Sequence, residues 1–73
     1  MKYGIVIEKA PRNYSAYVPD LPGCVSTGRS VSDVRRNIRE AIELHLDGMR
    51  QDGQPIPEPT ALCEYVEAPV EAA

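Results

Sequence analysis

The sequence contains no Trp and no Phe, and its aromatic side chains are Tyr3, Tyr14, Tyr17 and Tyr65. It has 73 residues, and a chain near that length buries only about 60% of the surface that its unfolded form exposes. A marginal core with few large apolar anchors favours self-association as a source of stability. We therefore expect a homo-oligomer, either a dimer or a tetramer.

Metal-ligating residues and long apolar runs are also scarce. Cys24, Cys63 and His45 form no CxxC pair and match no common zinc spacing, so we predict no cofactor and no metal. The apolar run at the N-terminus ends at Glu8, which makes it too short for a signal peptide or a membrane span. These features predict a cytoplasmic protein with no membrane partner and with reduced thiols.

An excess of positive charge is absent as well. Eight Lys and Arg residues are outnumbered by eleven Asp and Glu residues, which gives a formal net charge of −3. Nucleic-acid-binding domains usually carry a basic surface, so this balance disfavours that class of protein. If the partner is charged, a basic protein suits this chain better.

The first part of the chain predicts three short antiparallel strands. Three stretches show the β-branched and aromatic composition and the alternation of strands: residues 2–8, 14–18 and 24–28. The turn before the third strand consists of Pro19, Asp20, Leu21, Pro22 and Gly23. Gly28 ends the third strand or forms a bulge in it.

Residues 31–51 change to a helical period, with apolar side chains and His45 recurring every three or four positions on one stripe. Ser30 with Asp33 matches a capping box, so Ser30 is the predicted N-cap. Gly53 provides the left-handed residue at which the helix stops.

The remainder of the chain predicts an extended connector and a fourth strand. Prolines at 55, 57 and 59 exclude a helix there, and residues 61–67 have strand composition. A right-handed crossover would place this strand parallel to the first. The predicted fold is α+β, in the order β-β-β-α-β. It has a four-stranded mixed sheet (a three-stranded antiparallel meander plus the parallel strand) with one long helix on one face. The other face is left for a partner or a second copy.

A resemblance to a known family rests on "YVPDLPGCVSTG", the helix "NIREAIELHLDGMRQDG" and the connector "PIPEP". Together they resemble the N-terminal domain of HicB-type antitoxins, from about Met1 to Val66. The resemblance implies a partial ribonuclease-H-like fold that binds and masks a small basic mRNA-cleaving toxin of the HicA type. The structural signature comprises Pro19, Gly23, Cys24, Gly28, Ser30, Asp33, His45, Gly53, Pro55 and Pro57.

We interpret residues 1–67 as a single HicB-like domain and residues 68–73 as a flexible C-terminal tail. Many members of the family continue into a helix-turn-helix or ribbon-helix-helix segment that binds the operator. Because the sequence ends at Ala73 without one, we do not expect direct DNA binding.

Two residues invite a catalytic interpretation. Cys24 follows a proline-glycine turn, but a nucleophilic thiol needs a neighbouring base or a helix N-terminus to lower its pKa. His45 lies on the apolar stripe of the helix without a partner constellation. A packed thiol and a core histidine are therefore the favoured interpretations, and we predict no catalytic residues.

A metal-dependent nuclease, which the ribonuclease-H resemblance suggests, needs carboxylates gathered on adjacent strands. The predicted strands offer Glu8, Glu64 and Glu67 but no acid in the middle of the first strand. We therefore predict a non-enzymatic binding module. The alternative is a stand-alone oligomeric domain with a structural or small-molecule-binding role. For the antitoxin function, the residues predicted to bind the partner are exposed ones around the turn: Tyr17, Asp20, Leu21 and Pro22.

Overall fold

A computed structural model describes residues 1–70 of the chain. It contains three strands and one helix: β1 (Val6–Lys9), β2 (Tyr14–Tyr17), β3 (Val25–Gly28) and α1 (Val31–Gln51). The strands form an antiparallel sheet in the order β1-β2-β3. The α+β class, the antiparallel meander and the single long helix are thus confirmed.

β1 is shorter than the sequence predicts, because it begins at Val6 and not at residue 2. Its pairing with β2 stops at Val6 opposite Tyr17. Beyond Tyr17, the Val18 amide donates to the Cys24 carbonyl at 3.1 Å, and Pro19 has no amide hydrogen to donate. The residues just before β1 therefore have no backbone hydrogen-bond partner in Val18 and Pro19, which follow β2.

The helix covers one face of the sheet, where it packs on β3 and β2. Six residues are fully buried between the two layers: Ala16, Val18, Leu21, Cys24, Val34 and Ile38. Half-buried side chains from the N-terminal segment and the helix surround them, including Ile5, Ile7 and Ile42. A core this small agrees with the marginal stability expected for the length.

Gly28 allows the helix to start directly against the end of β3. A Cβ at this position would lie 2.5 Å from the Val34 nitrogen and 2.8 Å from its Cα. Because these are backbone atoms, they cannot move aside without shifting the helix. The Asn37 side chain adds a hydrogen bond across the same junction, donating to the Thr27 carbonyl at 2.8 Å.

Both ends of α1 follow the sequence signals. The Ser30 hydroxyl accepts a hydrogen bond from the Asp33 amide at 3.1 Å, which makes Ser30 the N-cap. At the other end Asp52 is the C-cap, and Gly53 has the left-handed φ of 69°. The chain can therefore leave the helix and turn back toward the sheet.

The predicted fourth strand is not found among residues 1–70, whose sheet has three strands. Residues 54–70, which we call the arm, lack regular secondary structure. Pro55, Pro57 and Pro59 remove amide donors from the start of the arm, and side-chain hydrogen bonds fix the next part. The arm then passes beside β1 across a cleft bounded by residues 5–7 and 62–65. Of the predicted tail, residues 71–73 lie outside the described residues.

Candidate functional site

The turn between β2 and β3 is closed by two backbone hydrogen bonds and buries one of its own side chains. The Leu21 amide donates to the Val18 carbonyl at 3.1 Å, and the Cys24 amide donates to the Leu21 carbonyl at 3.0 Å. These two hydrogen bonds close overlapping turns at residues 18–21 and 21–24. Gly23 is the third residue of the second turn, and its φ of 85° is the left-handed value that this position requires. The two overlapping turns point Leu21 into the core, where its side chain is 0% exposed. The expectation that Leu21 is exposed is therefore wrong, while Pro22 is exposed as expected.

Asp20 connects this turn to the arm through three hydrogen bonds. Its Oδ2 accepts from the amides of Thr60 and Ala61, both at 3.0 Å. Its Oδ1 accepts from the Thr60 hydroxyl at 2.8 Å. We call this arrangement the Asp20 clasp. The Tyr3 hydroxyl supports it by donating to the carbonyl of Pro57, three residues earlier in the arm.

The clasp stabilises the charged form of Asp20. The Ala61 amide contributes most, followed by the Thr60 hydroxyl, and together they hold the pKa of the carboxyl below its ordinary value of 3.8. Hydrogen bonds to a carboxylate favour ionisation because they act on the charged form. Asp20 thus has a structural role in this chain that its place in the turn did not reveal.

The sheet face opposite the helix carries an apolar row. Strand register sets Val6 opposite Tyr17, and Tyr17 opposite Val25. Side chains alternate between faces, and the neighbouring Ile7 and Ala16 point toward the helix, so this row points away from it. Tyr17 is 42% exposed and Val25 is 64% exposed. We call Val6, Tyr17 and Val25 the open-face row.

Cys24 has the surroundings expected of a packed thiol. Cys24 is buried beneath the turn, and loss of hydration raises the pKa of its thiol. A raised pKa keeps the thiol protonated, which is unsuited to a nucleophile. His45 lies half-buried on α1. Within residues 1–70, no three His, Cys, Asp or Glu side chains come together as a metal-binding group.

Ion pairs on α1 join residues three or four positions apart. Arg39 and Glu43 approach to 4.0 Å, whereas Arg36 pairs with Asp33 at 3.2 Å. Arg50 pairs with Asp47 at 3.1 Å. Five of these six side chains are largely exposed and Asp33 is partly exposed, so each pair contributes little to stability.

Charge is distributed unevenly along the chain. All eight Lys and Arg residues lie at or before Arg50, whereas five of the eleven acidic residues follow it. The charged side chains of the arm are therefore all acidic, whereas the remainder of the chain carries both positive and negative side chains. This division of charge can be read from the sequence alone.

The sequence reasoning missed two groups of residues. Thr60 and Ala61 contact Asp20 from forty residues away, and no short motif marks a backbone amide as a partner. Val25 was assigned to a strand, but its alignment with Tyr17 depends on strand register. Strand alternation combined with the turn length could have indicated that alignment.

Within residues 1–70, the single helix α1 is not apolar enough to cross a membrane.

Comparison with known proteins agrees with this architecture. The family described as "HicB_like antitoxin of bacterial toxin-antitoxin system" matches residues 3–72. Among solved structures, a chain of the HicA3 and HicB3 toxin-antitoxin complex is similar, with a TM-score of 0.70 and 32% sequence identity. That match covers 81% of this chain and 70% of the other chain.

Several proteins of bacteria, archaea and a phage are similar in sequence. A 14.9 kDa protein from the rep-hol intergenic region of Haemophilus phage HP1 is 39% identical over 94% of this chain. This chain spans 52% of the length of that phage protein. A UPF0150 protein of Helicobacter pylori is 50% identical over 71% of this chain and 72% of its own length. One of Archaeoglobus fulgidus is 40% identical over 74% of this chain and 83% of its own length.

Proposed function

Since the chain belongs to the HicB-like antitoxin family, we propose that it neutralises a small basic toxin of the HicA type by direct binding. In this mechanism the domain covers the active or RNA-binding surface of the toxin and performs no chemistry itself. The similarity to a chain of the HicA3 and HicB3 complex supports a toxin of this kind as the partner.

The observation that carries the proposal is the uncovered sheet face. The open-face row places Tyr17 between two valines, and all three side chains point away from the helix. Tyrosine is enriched at protein interfaces because it combines a large apolar surface with a hydroxyl group. An apolar row with a central tyrosine suits the middle of a protein interface.

Exposed residues outside the row are also available to a partner. Pro22 is exposed in the turn that follows β2, and the charged side chains of the arm are all acidic. Rim charges of the sign opposite to the partner accelerate association and favour the correct partner. Asp20 contributes by holding the arm through its three hydrogen bonds, and Leu21 contributes by fixing the turn from inside.

Co-expression with a small basic protein of the HicA type, sought among the products of neighbouring genes, tests the proposal. We expect the wild-type chain to restore growth and to co-purify with that protein as a stable complex. Tyr17→Ala combined with Val25→Asp should weaken the complex and abolish rescue, because both side chains lie on the open face.

Leu44→Asp is the matched control, since Leu44 is 73% exposed on the helix. This variant should rescue growth as well as the wild type does. Rescue by the Tyr17→Ala, Val25→Asp variant would exclude the open face as the binding surface. Failure of the wild-type chain to bind any neighbouring basic protein would favour the stand-alone oligomeric domain.

A further inference from the structure

The free edge of β1 and the arm enclose a cleft of about 430 Å³. Residues 5–7 form one wall and residues 62–65 form the other, and we call the space between them the edge cleft. β1 is an outer strand that pairs with β2, so its other edge carries backbone amides and carbonyls without a ladder partner. Within residues 1–70, no backbone hydrogen bond joins residues 62–65 to another segment. Both walls therefore keep polar backbone groups available to a guest.

Contacts at one end of the edge cleft hold its two walls together. The Asp20 clasp fixes the arm at Thr60 and Ala61, just before the cleft begins. The arm then lies against the N-terminal segment, where a Cβ added to Gly4 would lie 2.9 Å from the Cys63 sulfur. The walls are thus positioned before a guest enters, which reduces the ordering that binding would require.

The charge of the edge cleft is negative. Glu64 is the charged side chain among the lining residues, and it makes no ion pair within residues 1–70. Glu8 is exposed and follows Val6 on the open face, since alternate residues of a strand share a face. The cations nearest to β1 in sequence, Lys2 and Lys9, do not line the cleft. A positively charged guest would therefore meet a carboxylate without a competing cation in the walls.

The remaining side chains suit a guest with a long apolar stem. Leu62 is 82% exposed and Tyr65 is fully exposed, although both line the edge cleft. Arginine combines an apolar stem with a planar guanidinium that binds carboxylates through two hydrogen bonds and stacks on aromatic rings. The lysine ammonium is compact and strongly hydrated, so it would gain less from the tyrosine and the apolar walls.

We propose that the edge cleft receives one arginine side chain of the toxin. This inference rests on the proposed function, and it names the feature of the basic partner that the domain recognises. Val6 belongs both to the open-face row and to the wall of the cleft, so the arginine enters at the border of the surface that the toxin covers. Its guanidinium lies against Glu64 and Tyr65, and the remaining N–H groups donate to free carbonyls of the β1 edge.

Titration of the isotope-labelled chain with N-acetyl-arginine amide tests the edge cleft without any toxin. The amide resonances of Val6, Ile7 and Glu64 should shift, while those in the middle of α1 stay in place. N-acetyl-lysine amide at the same concentration should cause smaller shifts, and Glu64→Gln should reduce the response to the arginine compound. No response at these amides, or an equal response to the lysine compound, would overturn the proposal.

Substitutions in the arm test the same contact in the complex with a HicA-type toxin. Glu64→Gln should raise the dissociation constant at least about tenfold, because the guanidinium loses its charged acceptor. Glu67→Gln is the matched control, since it removes the same charge from a residue of the arm that does not line the edge cleft. Both side chains are exposed, so circular dichroism should show an intact fold for either variant. Equal affinities of the two variants would contradict the assignment.

A double-mutant cycle identifies the arginine. Each arginine of the toxin is replaced by alanine in turn, and each variant is measured against the wild-type chain and against Glu64→Gln. For one arginine the two losses of affinity should not add, because both substitutions remove the same contact. Additive losses for every arginine would overturn the proposal and leave the antitoxin function intact. If no toxin binds the wild-type chain, the antitoxin function fails, while the titration with N-acetyl-arginine amide still reports on the edge cleft.

Discussion

The body of the molecule, residues 1–53, and the arm are held in place by different forces. Apolar burial dominates the body, where residues such as Val34 and Ile38 are at most 1% exposed. Polar anchors hold the arm, namely the Asp20 clasp and the Tyr3 hydroxyl on the Pro57 carbonyl. The body is thus folded by its own core, whereas the arm is held by polar contacts and leaves the apolar side chains beyond Ala61 exposed, such as Leu62 and Tyr65.

This difference predicts that substitutions in the two regions have unequal effects on stability. Burial stabilises by several kcal/mol per large side chain, whereas an exposed hydrogen bond contributes about 1 kcal/mol or less. A substitution in the body should therefore change unfolding, and the corresponding substitution in the arm should leave the fold intact. The predictions below compare matched residues from the two regions.

Ile38→Ala should have the largest effect. Ile38 is 1% exposed in the centre of the core, so its truncation should lower the free energy of unfolding by about 2–5 kcal/mol. Urea denaturation followed by circular dichroism measures this change. In a domain this small, such a loss is a large fraction of the total stability.

Leu62→Ala in the arm is the comparison for Ile38→Ala. Leu62 is 82% exposed, and we expect its truncation to change the free energy of unfolding by no more than about 0.5 kcal/mol. Equal losses for the two variants would mean that the arm belongs to the core, and the contrast between the regions would fail.

Two glycines of the body test its packing at finer scale. Gly28→Ala should lower the free energy of unfolding by about 1–3 kcal/mol, because the new methyl group would collide with the Val34 backbone. Gly48→Ala should raise it by about 0.5–1 kcal/mol, since Gly48 lies in α1 with open space around an added Cβ. Thermal unfolding of the two variants should therefore shift in opposite directions. A stable Gly28→Ala variant would contradict the close approach of β3 and α1.

The fold of the body could be predicted well because its signals are local. The helical period, the Ser30 cap and the left-handed Gly53 all depend on residues close in sequence, and α1 begins and ends where they indicate. The three strands also follow local alternation. The length of β1 was not predictable in this way, because it depends on where its pairing with β2 stops.

The arm and the candidate site were harder to predict because both depend on distant contacts. Residues 61–67 have the composition of a strand, but the Asp20 clasp uses the amides of Thr60 and Ala61, and a cleft separates the following residues from β1. Leu21 was expected on the surface because turn residues usually are. The two overlapping turns instead direct it into the core.

Asp20→Ala should release the arm while the body remains folded. Without the carboxylate, the Thr60 and Ala61 amides lose their acceptor, and their hydrogen exchange should become faster. Amides in α1 should keep their protection. Asp52→Ala is the matched control, since Asp52 caps the helix through its backbone. Unchanged exchange at Thr60 and Ala61 in the Asp20→Ala variant would show that the clasp does not hold the arm.

Acid should open the same clasp. The pKa of Asp20 is lowered from 3.8 in the folded chain, so its contribution is complete above that value and is lost as the pH falls through the lower folded pKa. The amide chemical shifts of Thr60 and Ala61 should therefore titrate with a midpoint below 3.8. In the Asp20→Ala variant this titration should be absent. A midpoint at or above the ordinary value would contradict the hydrogen-bonded carboxylate.

Thiol labelling compares the two regions with the smallest perturbation, because it alters neither packing nor charge before the reaction. Cys63 in the arm is exposed, whereas Cys24 in the body is buried and burial raises its pKa. At neutral pH one thiol per chain should react rapidly with a maleimide, and the second should react only when urea unfolds the body. A Cys63→Ser variant should lose the rapid phase and keep the slow one. Rapid reaction of Cys24 in that variant would mean that the turn above it opens without unfolding, and the body would then be less rigid than its burial implies.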